Sequence, residues 1–186
     1  MVPGQVRIIS GIWRGRKLKV PDLPGLRPTP DRVRETLFNW LQPMIAGARC
    51  LDMYTGSGAL GFEALSRGAA FVDMVDQNYQ VVELLRQEAI KFAATNLEIY
   101  VANAPHQLRK PEKPYDIVFV DPPFNEDLLL PSCIFLEENG FLADEAHIYL
   151  EARSALDANS LPSNWQLVKN KKAGNVAYHL ALRSKN

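Results

Sequence analysis

The chain has 186 residues, 47% of them hydrophobic, and its 21 Lys/Arg balance 21 Asp/Glu. Such a length favours one domain with a proper core and at most a small appendage, and no apolar run approaches the roughly 18 residues needed to span a membrane. The charge is unevenly spread: residues 1–49 hold nine Lys/Arg against three Asp/Glu and the remainder 12 against 18, which suggests a basic arm that meets polyanions, attached to a body that need not.

Met1-Val2-Pro3-Gly4-Gln5 lacks the charged and apolar regions of a signal peptide, so the expected location is the cytoplasm. Cys50 and Cys133 lie in apolar surroundings without metal-like spacing and read as buried free thiols. His106, His147 and His179 are scattered, and no metal site is expected.

Val6 to Val20 reads as a β-hairpin or short meander punctuated by Gly11 and Gly15. Pro21 to Pro28 is a turn-rich connection. Thr29-Pro30-Asp31 starts a helix, with Thr29 as N-cap and Pro30 at the first position. Val33, Leu37, Trp40 and Leu41 follow at helical spacing, and Pro43 stops it. Arg32 and Arg34 point to opposite sides of that helix; Arg32 either faces a ligand or pairs with Glu35. The domain boundary falls here: residues 1–28 form a basic extension and 29–186 the main domain.

From Arg49 strand and helix alternate. Cys50 to Met53 is a strand, Ala59 to Arg67 a helix ended by Gly68, and Ala70 to Asp76 a second strand. Asn78 caps a longer helix with Val82, Leu85, Ala89 and Phe92 as its core stripe. Leu97 to Val101 and Tyr115 to Val120 are strands. Glu126 to Asn139 is helical, with Pro131 at a kink or marking a delayed start. His147 to Ala152 is a fifth strand, and Gln166 to Lys171 with Asn175 to Leu182 close as an antiparallel pair. Repeated βα units imply a doubly wound, mostly parallel sheet.

Gly56-Ser57-Gly58-Ala59-Leu60-Gly61 matches G-x-G-x-x-G between a strand and a helix, and Asp76 lies 20 residues after Gly56. That is the dinucleotide fingerprint, yet any nucleoside cofactor on such a sheet wants glycines for close approach and an acid for ribose hydroxyls. Asp52, Tyr54 and Thr55 just before the glycines tilt the choice. A pyrophosphate gains nothing from the Asp52 charge, whereas the ammonium of S-adenosylmethionine does. On that reading Asp52 and the Gly56–Gly58 backbone hold the methionine end, Asp76 the ribose, and Asn103 with the Ala104 N–H the adenine. Asp73 is the mid-strand alternative for the ribose.

Ile117 to Val120 reads as a strand buried on both faces, ended by Asp121-Pro122-Pro123-Phe124. The prolines cannot continue a ladder, so Asp121 is held at the strand's C-terminal end, where open α/β sheets bind ligands. A carboxylate beside a proline carbonyl pairs two acceptors suited to an –NH2 group, and Phe124 can lie against the ring that carries it. Asp121, Pro122 and Phe124 are therefore the candidate catalytic residues, with Asp121 also bordering the cofactor.

Together these segments closely resemble the bacterial small-subunit ribosomal RNA guanine-N2 methyltransferases of the RsmD family. The narrowest matches are Arg7-Ile8-Ile9-Ser10-Gly11 with Arg14-Gly15-Arg16-Lys17-Leu18, and the run from Arg27-Pro28-Thr29-Pro30-Asp31-Arg32 to Leu41. Thr55, where a small alanine is usual, and Asp76, where Glu is usual, are mild departures. The resemblance implies the class I methyltransferase fold: a Rossmann-like, mostly parallel seven-stranded sheet ending in an antiparallel hairpin, here with a small N-terminal β-hairpin extension. It agrees with S-adenosylmethionine as cofactor and implies 16S ribosomal RNA or the small ribosomal subunit as partner; a monomer is expected. Arg7, Arg14, Arg16 and Lys17, with Arg27 and Arg32, are then the candidates for gripping RNA. Trp13 either stacks on a base or closes the hairpin core.

Overall fold

The computed structural model describes residues 4–21, 23, 26, 28–123 and 126–185. A two-stranded hairpin comes first, β1 (Gln5–Arg7) antiparallel to β2 (Lys17–Lys19) with Val6 opposite Leu18. Then follow α1 (Asp31–Leu41), β3 (Arg49–Asp52), α2 (Ala59–Ser66), β4 (Phe71–Asp76), α3 (Tyr79–Phe92), β5 (Leu97–Val101) and β6 (Tyr115–Val120). The chain closes with α4 (Leu129–Glu138), β7 (Leu142–Ala152), β8 (Trp165–Ala173) and β9 (Val176–Ser184).

Seven strands form one sheet in the order β5-β4-β3-β6-β7-β9-β8, with β3 to β7 parallel and β9 antiparallel to both its neighbours. This is the expected class I methyltransferase architecture. The order reverses beside β3, so a crevice opens between β3 and β6 at the strands' C-terminal edge. Alternate residues feed two core layers. Cys50, Met74, Phe119 and Tyr149 point to the side of the hairpin, α1, α2 and α3, while Leu51, Val75, Val118 and Ile148 point to the other.

The hairpin is part of the first layer rather than an arm attached to it. Val6, Ile8 and Leu18 are fully buried, and Trp13 packs its ring against Phe62 (6.2 Å) and edge-on to Phe92 (5.2 Å). Trp13 is thus a core residue, not a free platform for a base. Buried Glu63 accepts the N–H groups of Ile9 (2.8 Å) and Ser10 (3.0 Å) and the Arg67 Nε (2.7 Å), with Arg34 Nη1 at 3.6 Å. Arg34, also fully buried, donates to Arg7 O, Thr29 O and Asp31 Oδ1. Hairpin, α1 and α2 therefore meet on one ionic cluster.

Three local readings change. Thr29 does not cap α1; the helix starts at Asp31 without a side-chain cap, and the Thr29 carbonyl serves Arg34 instead. Pro131 occupies the first turn of α4, where its missing N–H costs no helical bond, so the helix starts late at Leu129. β7 begins at Leu142, before His147, because its polar first half (Asp144, Glu145) ladders with β9 at a part of the sheet where no apolar run announces it. Cys50 and Cys133 are buried and free. No helix among the described residues is long and apolar enough to cross a membrane.

Candidate active site

Four adjacent strands, in the sheet order β4-β3-β6-β7, end in a carboxylate on the same face: Asp76, Asp52, Asp121 and Glu151. Each lies two residues beyond an inward residue of the hairpin-side layer, namely Met74, Cys50, Phe119 and Tyr149, so the period of two fixes the shared face. All four line a cavity of about 1100 Å³ at the strands' C-terminal edge. Its roof comes from the connection to α1, through Leu23, Leu26, Pro28, Thr29 and Pro30.

The glycine loop is tied down by two of these acids. Asp52 Oδ2 accepts from Thr55 Oγ1 (2.9 Å) and from the Gly61 N–H (3.0 Å). Asp76 Oδ2 accepts from the Gly56 N–H (3.0 Å), and its Oδ1 from the Asn78 N–H (2.8 Å) that opens α3. Gly58 has φ +73°, and a Cβ there would come within 2.6 Å of Leu85 Cδ2, so a side chain is excluded by both conformation and space. Tyr54 Oη pairs with Ser132 Oγ at 2.7 Å, and burial pushes the phenol up to about 12.

Burial makes ionisation of these acids costly. Burial raises Asp52 to about 7, outweighing its hydrogen bonds from Thr55 and Gly61. Burial also raises Asp76. Asp121 is pushed well up by burial, then by the charges of Glu151 and Asp52. Glu151 is raised by burial although its Oε2 accepts from Tyr149 Oη at 2.8 Å. A cation placed among these groups would relieve the cost, and a pyrophosphate would add to it. The donor set therefore fits a ligand with positive charge at the amino-acid end and at sulfur, as in S-adenosylmethionine.

Of the residues expected at the site, Asp52, Tyr54, Thr55, Gly56, Asp76, Asn103, Ala104, Asp121 and Pro122 line this one cavity. Thr55 spends its hydroxyl on Asp52, and the Asn103 N–H is taken by Gln107 Oε1 (3.0 Å). Gly58 lies beneath the lining, against Leu85 and Phe62. Asp73 is turned away, accepting from Tyr115 Oη in the layer on the other side of the sheet. Phe124 and Arg27 lie outside the described residues. The RNA candidates Arg7, Arg14, Arg16, Lys17 and Arg32 are exposed but do not line the cavity, and Arg16 lies over the Phe92 ring at 4.0 Å with its Nη2 on Lys91 O.

Sequence reasoning missed Glu151, and the signal was present. Ile148-Tyr149-Leu150-Glu151 ends a buried strand in an acid just as Phe119-Val120-Asp121 does. The cavity's far wall, Lys172, Asn175 and Val176 from the β8–β9 turn, was missed as well. Among the described residues no group of three or more His, Cys, Asp or Glu side chains could hold a metal ion.

A family model described as conserved hypothetical protein 95 matches residues 6–182. Ribosomal RNA small subunit methyltransferase D of Escherichia coli (strain K12) is 52% identical over 180 residues, covering 97% of this chain and 91% of that protein. The chain belongs to this RsmD family. A second RsmD protein, from Haemophilus influenzae, is 43% identical over 181 residues, 95% of this chain and 93% of its own. The solved structure of yhhF from Escherichia coli, 50% identical, matches with a TM-score of 0.89 over 98% of this chain and 100% of that one. The RsmD likeness thus spans both the hairpin and the sheet.

Proposed function

We propose that the chain transfers the methyl group of S-adenosylmethionine to the exocyclic N2 of a guanine in small-subunit ribosomal RNA. Membership of the RsmD family makes it an S-adenosylmethionine-dependent methyltransferase, and relatives up to 52% identical carry ribosomal RNA methylation in their names. The observation that carries the guanine amine is Asp121-Pro122 at the end of β6, in the same cavity as the acidic floor of Asp52 and Asp76.

Asp52 and the Gly56 loop would hold the amino-acid end of the cofactor, Asp76 its ribose, and Asn103 with Ala104 its adenine. When bound, S-adenosylmethionine supplies a methyl group on a positively charged sulfur. The guanine N2 lone pair is delocalised into its ring and needs help to attack. The Asp121 carboxylate and the Pro122 carbonyl accept its two N–H bonds, which pyramidalises the nitrogen and fixes its lone pair in line. Phe124, two residues after Pro122 in sequence, would stack on the base once it leaves its neighbours.

Glu151 acts through Asp121. Fixed by Tyr149, it adds a negative charge to the burial that already raises Asp121. Asp121 is thereby more basic than an isolated carboxylate and takes the proton released from N2 after transfer. The compartment is that of ribosomal RNA, the cytoplasm, with the RNA free or within the small subunit as substrate. Incubation of unmodified ribosomal RNA and small subunits with labelled cofactor, followed by nucleoside mass spectrometry, should give N2-methylguanosine. N6-methyladenosine as the product would falsify the reading.

A further inference from the structure

The tip of the basic hairpin and the catalytic mouth lie at opposite edges of the sheet. α2 leaves the glycine loop at the catalytic edge and runs back along the strands, its eight residues covering on the order of 12 Å. The hairpin tip docks at the far end of that helix, with Ile12 N donating to Ser66 O (2.9 Å) and Trp13 N to Ser66 Oγ (3.0 Å). Arg16 reaches the last turn of α3 at Lys91 O (2.7 Å). Arg14, Arg16 and Lys17 thus surround the edge away from Asp121.

Positive charge does occur at the mouth, on β8, the outermost strand. Residues 158–186 carry five Lys/Arg and no Asp/Glu. Two of the five are spent: Arg183 on Glu137 (2.9 Å) and Lys185 on Asp144 (3.1 Å). Lys169, Lys171 and Lys172 are exposed and pair with no carboxylate among the described residues. The ladder shows where they stand. Glu151 is opposite Tyr178, and Tyr178 is opposite Lys171, so Lys171 shares the catalytic face with Glu151 two strands away, about 10 Å. Lys169 lies on the same face opposite Leu180, and Lys172 lines the cavity wall.

The catalytic edge therefore changes sign along its length, from four carboxylates on β4, β3, β6 and β7 to three lysines on β8. We propose that Lys169, Lys171 and Lys172 hold the phosphates of the RNA strand that flanks the target guanine, while the base itself turns toward Asp121. This rests on the guanine reading above. Lysines on an outer strand also discourage edge-to-edge pairing of sheets, and the test must separate the two roles.

Charge reversal does so, because K169E/K171E/K172E keeps the edge charged. The expected result is a KM for ribosomal RNA raised roughly 10- to 100-fold. The slope of log affinity against log salt should fall by about 2, near 0.7 for each lost phosphate contact. Calorimetric affinity for S-adenosylmethionine should stay within about twofold. The alanine triple variant should show the same losses more weakly. If the wild-type protein makes N2-methylguanosine while the glutamate variant keeps its KM and salt slope, the proposal falls and the guanine reading stands. Aggregation of the alanine variant with an unchanged KM would assign the lysines to edge protection and overturn the proposal. Absence of N2-methylguanosine with wild-type protein removes the reading and the proposal together.

Discussion

At the scale of single residues, the site is governed by where protons sit. Asp121→Ala removes one of two N–H acceptors and should cut kcat by about 10²- to 10⁴-fold, leaving calorimetric binding of S-adenosylmethionine within a few-fold. Because Asp121 must be ionised to accept, and burial, then the Glu151 charge, holds its proton on, kcat/KM should rise with pH through a limb well above the ordinary carboxylate range. Glu151→Gln removes the opposing charge and should move that limb to lower pH, whereas an unmoved limb would deny the pair. Asp52 binds its proton more tightly folded than unfolded. Its contribution to stability is therefore full below its ordinary 3.8 and lost as pH rises through about 7. A bound cation reverses that preference, so cofactor binding near pH 6 should release protons. Calorimetric heats should then differ between buffers of unlike ionisation enthalpy, and Asp52→Asn should reduce the difference; equal heats for the wild type would contradict it.

At the scale of elements, the Arg34–Glu63 cluster fixes what the hairpin is. Glu63 closes the N–H groups of Ile9 and Ser10, and no water reaches its carboxylate. Glu63→Ala would strip the Ile9 and Ser10 N–H groups and Arg67 Nε of their acceptor and leave buried Arg34 to Asp31 alone of these two acids, and should cost about 3–5 kcal/mol, lowering Tm by roughly 10 °C. A loss below about 1 kcal/mol would show the cluster to be incidental. Removing residues 1–20 would in turn uncover Phe62 and Phe92, so truncation interrogates the fold before it interrogates RNA affinity. The C-terminal hairpin has its own clamp. Glu137 on α4 is held down to about 2, first by the Arg183 hydrogen bonds and further by Trp165 Nε1 and Asn164. That stability is present above its ordinary 4.5 and lost only as pH falls through about 2.

At the scale of the whole molecule, β3, β4 and β6 were legible because each is a short, largely apolar run closed by an acid, Asp52, Asp76 or Asp121. β5 and β6 match their expected bounds, Leu97–Val101 and Tyr115–Val120. The hairpin's place was not legible. Arg7, Arg14, Arg16 and Lys17 look like a solvent arm in one dimension, and only the packing of Trp13 and the reach of Glu63 across 54 residues reveal a core element. Glu151 carried the same strand-ending acid signal as Asp121 and was passed over, whereas the β8 lysines escaped because their meaning lies in register across strands, which no linear pattern carries. One consequence of the topology concerns birth order. β3, the earliest strand of the large sheet, ends up between β4 and β6, and the Trp13 pocket is completed only by Phe92. The ribosome therefore delivers the oldest apolar segments long before their partners. Cys50, Leu51 and the buried face of the hairpin must wait for residues dozens of positions downstream, so the chain collapses late in its synthesis.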